Sequence, residues 1–271
     1  MKRIRIVLCL WAGVLLVSCS NSNQTGSDYI EDTLGVNMEM VYVQGGNFMM
    51  GGTAEQGEDA GEEEFPVHRV NVSPYYMGRF EVTQGQWEKV MGSTVRQQRA
   101  KIDSTWFLPG EAPDLPVYYV DYEEATIFCK ELSRLSGKNY ALPTEAQWEF
   151  AARGGNKAKG QTKYSGNDTA YQVAWFSENS EASTHPVGAK QANALGLYDM
   201  SGNVWEWCSD IYGAYSDKKQ TNPKGAGEGS NRVVRGGGWY TDVEYTRVSC
   251  RYGDSVHGRY ANLGFRVVML P

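Results

Sequence analysis

Three stretches of this sequence carry a clear helical signal, and the residues of each mark its start and its stop. In "VTQGQWEKVMG", Thr83 is followed three positions later by Gln86, the spacing of a reciprocal capping box, and Gly92 supplies the stop. "DYEEATIFCKELSRLSG" repeats the device with Asp121 and Glu124, and places Ala125, Phe128, Cys129, Leu132 and Leu135 at helical spacing on one face. Cys129 therefore reads as a small core hydrophobe. "LPTEAQWEFAARGG" is the third, opened by Thr144 with Gln147 and closed by Gly154. Carboxylates in these first turns also suit the positive end of a helix.

Between the helices the chain reads as short strands and turns. "MVYVQGGNFMMGG", "HRVNVSPYYMGRFEVT", "NRVVRGGGW" and "LGFRVVML" are β-rich runs bounded by turn formers, whereas residues 154–202 show little period. With 31 Gly, 8 Trp and 17 Tyr, such a chain is held by aromatic packing between irregular loops more than by stacked helices. One α+β domain with low regular secondary structure is the expectation.

The beginning of the chain points to export. Lys2, Arg3 and Arg5 precede an apolar run from Ile6 to Val17 that is too short to span a bilayer and fits a secretory signal. The run ends in "LVSC", which looks like a bacterial lipobox with Cys19 as the lipidated residue. The expected organisation is a signal peptide over 1–18, a polar tether over 19–37 and a domain over 38–271. That places the protein in the cell envelope, lipid-anchored to a membrane, and on the outer membrane if the cell is Gram-negative. The charge of −6, with no basic stripe, argues against nucleic acid. Its acidity gathers in "EQGEDAGEEEF", residues 55–65, which reads as a solvated loop, with a cation site as the alternative.

Familiar catalytic patterns are missing. His68, His185 and His257 lie far apart in sequence and form none of the spacings that mark a zinc or iron site. No GxSxG elbow or P-loop occurs, and the run Gly236 to Gly238 reads as a tight turn.

The ordered set "MVYVQGGNFMMGG", "LPTEAQWEFAAR", "THPVGAKQANALGLYDMSGNVWEWCSD", "RVVRGGGW" and "NLGFRVV" resembles the formylglycine-generating enzyme family, also called sulfatase-modifying factors, over about residues 38 to 269. The resemblance implies an irregular α+β fold related to C-type lectins. It also implies an oxidase that converts a sulfatase cysteine to formylglycine at a copper(I) ion held by two thiolates. Counted from the Gly-Gly turn, the places of those two cysteines hold Thr246 and Arg251 here. Cys250 is one residue off the second place, and pairing it at the family spacing would require a cysteine at Tyr245 or Ser255. Because a linear cuprous site needs two soft ligands, copper is not expected. Cys208 is the remaining candidate partner. A Cys208–Cys250 disulfide and a copper pair are alternatives to two free buried thiols.

The same resemblance implies a structural calcium ion held by Asn203 and Glu206 with nearby carbonyl oxygens; a second family calcium site lacks its Asp here. Two functions follow. The first is a non-catalytic envelope protein, a pseudoenzyme that binds a protein, peptide or glycan in a cleft lined by Trp239, Tyr240, Tyr245, Arg247, Arg251 and Tyr252. The second is an oxidase of exported sulfatases with a site rebuilt around Cys250.

Overall fold

The computed structural model describes residues 26–271, so the expected signal peptide and the lipidation candidate Cys19 lie outside the described residues. Its frame is a five-stranded antiparallel sheet, in spatial order Tyr29–Glu31, Met38–Val43, Tyr75–Gly78, Val268–Leu270 and Asn139–Ala141. The last strand of the chain is therefore clamped inside the sheet between early and middle segments, which joins the two ends of the domain. Tyr29 pairs with Met40 and Val36 is buried, so the packed domain begins ahead of Met38 and takes in residues expected in the tether.

A four-stranded sheet runs Arg251–Ser255, Asn231–Arg235, Trp205–Ile211 and Leu263–Gly264, antiparallel except for the final pair. A third sheet joins Gly46–Met50, His68–Val72 and Gln220–Thr221. All three expected helices are present, over Gln84–Met91, Tyr122–Ser136 and Glu145–Ala152. Each capping box closes reciprocally, and Gly92 and Gly137 take the left-handed conformation that ends a helix. A further six-residue helix, Val95–Ala100, uses the same box from Thr94 and Gln97.

The helix Glu145–Ala152 differs from the other two. Only Gln147 on it is not buried, because strands of two sheets and the loop before Leu195 pack around it. Trp148, Phe150, Ala151 and Ala152 join Met50, Val70, Leu195 and Val233 in one apolar cluster. Trp87, Phe128 and Phe265 anchor a second cluster, with Trp87 and Phe128 stacked at 5.8 Å. Burying such rings contributes about 1.5–3 kcal/mol per side chain, which is how loops with little ladder bonding are held. Among the described residues, no helix is long and apolar enough to cross a membrane.

Candidate functional site

Side-chain alternation along the four-stranded sheet separates two environments. Arg235 and Arg251, which are register partners, point to the buried face, toward the helix Glu145–Ala152. Val234, Tyr252 and Asp254 point the other way, into an open pocket of about 310 Å³. One-residue steps thus decide which residues line the open pocket and which meet the core.

The buried face is ionic. Arg251 holds Glu145 with two bonds, Nε to Oε1 at 2.7 Å and Nη2 to Oε2 at 2.8 Å, and its guanidinium lies 4.0 Å from the centre of the Tyr215 ring. Arg235 pairs with Glu149 and, at 3.4 Å, with Glu145; Arg153 pairs with Glu149 and Glu55. Arg247 holds Glu64 at 2.6 and 3.0 Å, and Ser249 also donates to Glu64. Four guanidiniums thus meet Glu55, Glu64, Glu145 and Glu149, so the formal charge balances. For Glu64, burial alone would raise the carboxyl, but Arg247 and Ser249 hold it below the usual range. The acidic run 55–65 is therefore not simply a solvated loop: Glu64 is fully buried and Glu55 is tied to Arg153. Arg247 and Arg251 are likewise consumed by the core and do not line the open pocket, contrary to the sequence expectation.

The positions where the resembled oxidases carry thiolates are also structural here. Thr246 is buried at the end of a short turn, and its hydroxyl donates to the Val243 carbonyl at 2.8 Å. Gly237, at φ +74°, brings the chain so close that a Cβ there would lie 2.8 Å from the Tyr245 carbonyl oxygen, which explains the glycine turn. Cys250 is 4% exposed, and burial pushes its thiol up to about 12, although Arg247 opposes the rise. Cys129, Cys208 and Cys250 are each buried and unpaired. The residues present do not fit copper(I): a threonine and an ion-paired arginine stand where soft ligands belong, and the nearby thiol stays protonated.

Asn203 and Glu206 do not form an open cation site either. Both oxygens of Glu206 face Arg266, Nε to Oε2 at 2.7 Å and Nη2 to Oε1 at 2.6 Å, and Trp148 Nε1 donates to Oε2 at 2.8 Å. Asn203 Oδ1 accepts the His185 amide at 3.0 Å, while its Nδ2 donates to Glu81 at 2.7 Å. Burial, then Asp199 and Glu206, push Glu81 well above the carboxylate range, and burial lifts Asp199 to about 6. A proton held on Glu81 relieves the excess negative charge that Glu81, Asp199 and Glu206 would otherwise set against the single Arg266.

The open pocket is aromatic. Trp205 forms its floor, with Tyr245 and Tyr252 tilted at 6.5 and 6.4 Å, and Tyr240 and Tyr260 complete the walls. Val234 and Leu263 add apolar surface, and Thr241, Asp254 and Asn262 supply the polar atoms. Of the residues expected from sequence to line a cleft, Tyr240, Tyr245 and Tyr252 lie at this pocket. Trp239 is 6% exposed and stands behind Tyr240 at 4.9 Å, its indole N–H donating to the Ala261 carbonyl at 2.9 Å. Sequence reasoning missed Trp205, Asp254, Tyr260 and Asn262. Strand alternation from Glu206 and Tyr252 would have found Trp205 and Asp254; Tyr260 and Asn262 arrive from a loop with no periodic signal.

The fold and the pocket together define a mixed α+β domain with curled sheets and a loop-built cleft. Residues 28–270 match the sulfatase-modifying factor enzyme 1-like domain, and the chain belongs to that family. It is 30% identical to chaperone protein LppX of Paenibacillus barcinonensis over 99% of both chains. It is 29% identical to the formylglycine-generating enzyme of Bos taurus, over 84% of this chain and 74% of that one. Among solved structures, variable protein 1 of Treponema denticola matches at a TM-score of 0.78 and 28% identity, over 91% of this chain and 100% of that one.

Proposed function

We propose that this protein is an exported, membrane-anchored binding protein of the cell envelope, not competent for cysteine-to-formylglycine oxidation, that holds its ligand in the aromatic pocket. The carrying observation is Arg251: the residue at the second thiolate position is buried and bound bidentately to Glu145. With Thr246 at the first position and Cys250 enclosed, this segment presents no thiolate pair to a metal. The name of the Paenibacillus relative supports a binding role for a polypeptide, and the basic-apolar-"LVSC" start supports a lipid anchor at Cys19. The likeness to the bovine oxidase favours the second reading, catalysis, through family membership alone.

The test is to incubate the purified protein with copper(I), oxygen and a sulfatase-motif cysteine peptide, and to follow the peptide by mass spectrometry. No formylglycine is expected. Conversion that disappears in Cys250→Ser would overturn the proposal. Globomycin-sensitive processing and labelled-palmitate incorporation, both lost in Cys19→Ala, are expected for the anchor.

A further inference from the structure

The pocket has a chemistry that narrows its ligand, granted that the domain is a binding protein. Elsewhere in the fold, aromatic rings that meet a cation meet one of the protein's own. Arg251 lies over Tyr212 and Tyr215, Arg232 over Tyr122, and Lys190 lies 3.8 Å from the centre of the Trp175 ring. Among the described residues, none of the five pocket rings is covered in this way, although four of them are among the most exposed aromatics of the domain.

Asp254 stands at the same pocket, and its cross-strand partner Arg232 is turned away to the Ser209 carbonyl and the Tyr122 ring, so among the described residues no ion pair reaches Asp254. Its carboxylate accepts the Ser255 amide at 2.7 Å and the Tyr260 hydroxyl at 3.5 Å, and it is half-buried. Burial raises its carboxyl, which is the cost of holding that charge against apolar walls without a counter-ion. Among the described residues, the deeply buried carboxylates are either paired with an arginine or lysine, as Glu31 is with Lys138 and Glu206 with Arg266, or have their carboxyl lifted by burial, as Glu81, Asp199 and Asp210 do. Asp254 and the open, negative ring faces beside it together leave room for a cation.

We propose that this pocket binds an organic ammonium ion, with a methylated ammonium favoured over a bare one, between the faces of Trp205, Tyr240, Tyr245, Tyr252 and Tyr260 and beside Asp254. Ring faces attract a cation through their quadrupoles, and a carboxylate adds direct charge complementarity. The preference for methylation follows from hydration. A bare ammonium is a compact, strongly hydrated charge that must shed its water to enter the pocket, whereas methyl groups spread the charge and pack against the ring faces. Asp254 is the carboxylate at the pocket and supplies the counter-charge in either case.

The probes are choline and tetramethylammonium, titrated against the full chain in a maltoside detergent and followed by calorimetry and tryptophan fluorescence. Saturable binding is expected. 3,3-Dimethylbutan-1-ol, which has the shape of choline without its charge, is expected to bind about tenfold more weakly or worse. Asp254→Asn and Tyr252→Ala, both at the pocket rim, are each expected to weaken choline about tenfold with unchanged circular dichroism. Choline-headgroup vesicles and a trimethyllysine peptide then separate a lipid carrier from a protein one; Asp254-dependent binding of either supports the proposal. Equal affinity for choline and its neutral isostere would overturn it, as would no binding of any of these cations. Binding of a neutral oligosaccharide or an uncharged peptide, indifferent to Asp254→Asn, would also overturn the ammonium assignment while leaving the binding reading intact. Formylglycine production would instead sink the binding reading.

Discussion

Arg251 and Glu145 meet bidentately on the buried side of the four-stranded sheet, at 2.7 and 2.8 Å, with both side chains almost wholly out of solvent. This contact joins the C-terminal segment to the central helix at the position where an oxidase of this family would offer sulfur. Arg251 thus carries part of the fold, and on the reading proposed above it does so where the resembled oxidases place a thiolate.

Replacing Arg251 with Met is expected to destabilise the domain by about 3 kcal/mol, the lower end for one partner removed from a buried pair. The lower end applies because Arg235, at 3.4 Å, still faces Glu145. A double variant, Thr246→Cys with Arg251→Cys, places two thiols at the family spacing and is expected to lose as much stability without gaining oxidase activity. Urea unfolding followed by circular dichroism measures the first effect. A double variant as stable as wild type that converts the cysteine peptide would refute both statements.

Glu64 and Arg247 make the parallel case on the acidic loop. Glu64→Gln leaves a buried guanidinium without its counter-charge, and a loss of about 3–5 kcal/mol is expected. Because Arg247 and Ser249 hold the Glu64 carboxyl below its usual range, its contribution is present above the unfolded value of 4.5 and fades as pH falls through the folded one. The gap between wild type and variant in urea midpoint is therefore expected to shrink under acid conditions. A gap of constant size from neutral to acid pH would show that the pair contributes nothing electrostatic.

Much of the architecture was legible because it is written in local chemistry. Thr83 with Gln86, Asp121 with Glu124 and Thr144 with Gln147 each announce a helix start in four residues. Thr94 with Gln97 follows the same rule, but its helix is a turn and a half without an apolar stripe. Long-range pairing was not legible. Nothing around Glu64 indicates that Arg247, far along the chain, will neutralise it, so the loop reads as solvated. Arg251 and Tyr252 looked equally suited to a cleft, and only the strand register shows that they face opposite ways. Tyr260 and Asn262 reach the pocket from an irregular loop, and no period predicts where such residues point.

Asp210 yields a pH prediction of opposite sign to Glu64. Burial first, then the charge of Glu145, lifts its carboxyl up to about 7. A folded-state value above the unfolded one of 3.8 means that the native protein holds this proton more tightly. The resulting stability is full below the unfolded value and is lost as pH rises toward 7. Asp210→Asn keeps an oxygen to accept the Glu145 amide, which the wild type does at 3.0 Å, and carries no charge. At pH 8 the variant is expected to be more stable than wild type by up to about 4 kcal/mol, with the difference vanishing near pH 4. Urea midpoints at several pH values report this directly, and an Asn variant less stable at pH 8 would contradict it.

The thiol of Cys250 should be nearly inert in the folded protein. A value of about 12 in place of the ordinary 9.0 lowers the thiolate fraction about a thousandfold at neutral pH, and enclosure by the ion-paired shell slows access further. Iodoacetamide at pH 8, followed by digestion and mass spectrometry, is expected to leave the Cys250 peptide unmodified in native protein and to label it fully in urea. Rapid native labelling would restore Cys250 as a nucleophile and with it the rebuilt-oxidase reading.

Calcium tests the Asn203–Glu206 segment. A hard cation there would need carboxylate and amide oxygens free to turn toward it, but Glu206 is locked to Arg266 and Trp148, and Asn203 Oδ1 caps the His185 amide. The Arg266 guanidinium would also lie directly against the ion. A ligand that binds the native state raises stability by RT ln(1 + [L]/Kd), so any tight site reveals itself as a concentration-dependent rise in melting temperature. Between chelator and millimolar calcium, a shift of less than about 1 °C is expected, since a site of millimolar affinity contributes only a few tenths of a kcal/mol there. Arg266→Gln would free the Glu206 carboxylate and is the variant in which a calcium response should emerge, against a lower starting stability. A rise of several degrees in wild type would mean that calcium displaces Arg266 and that the segment is a metal site after all.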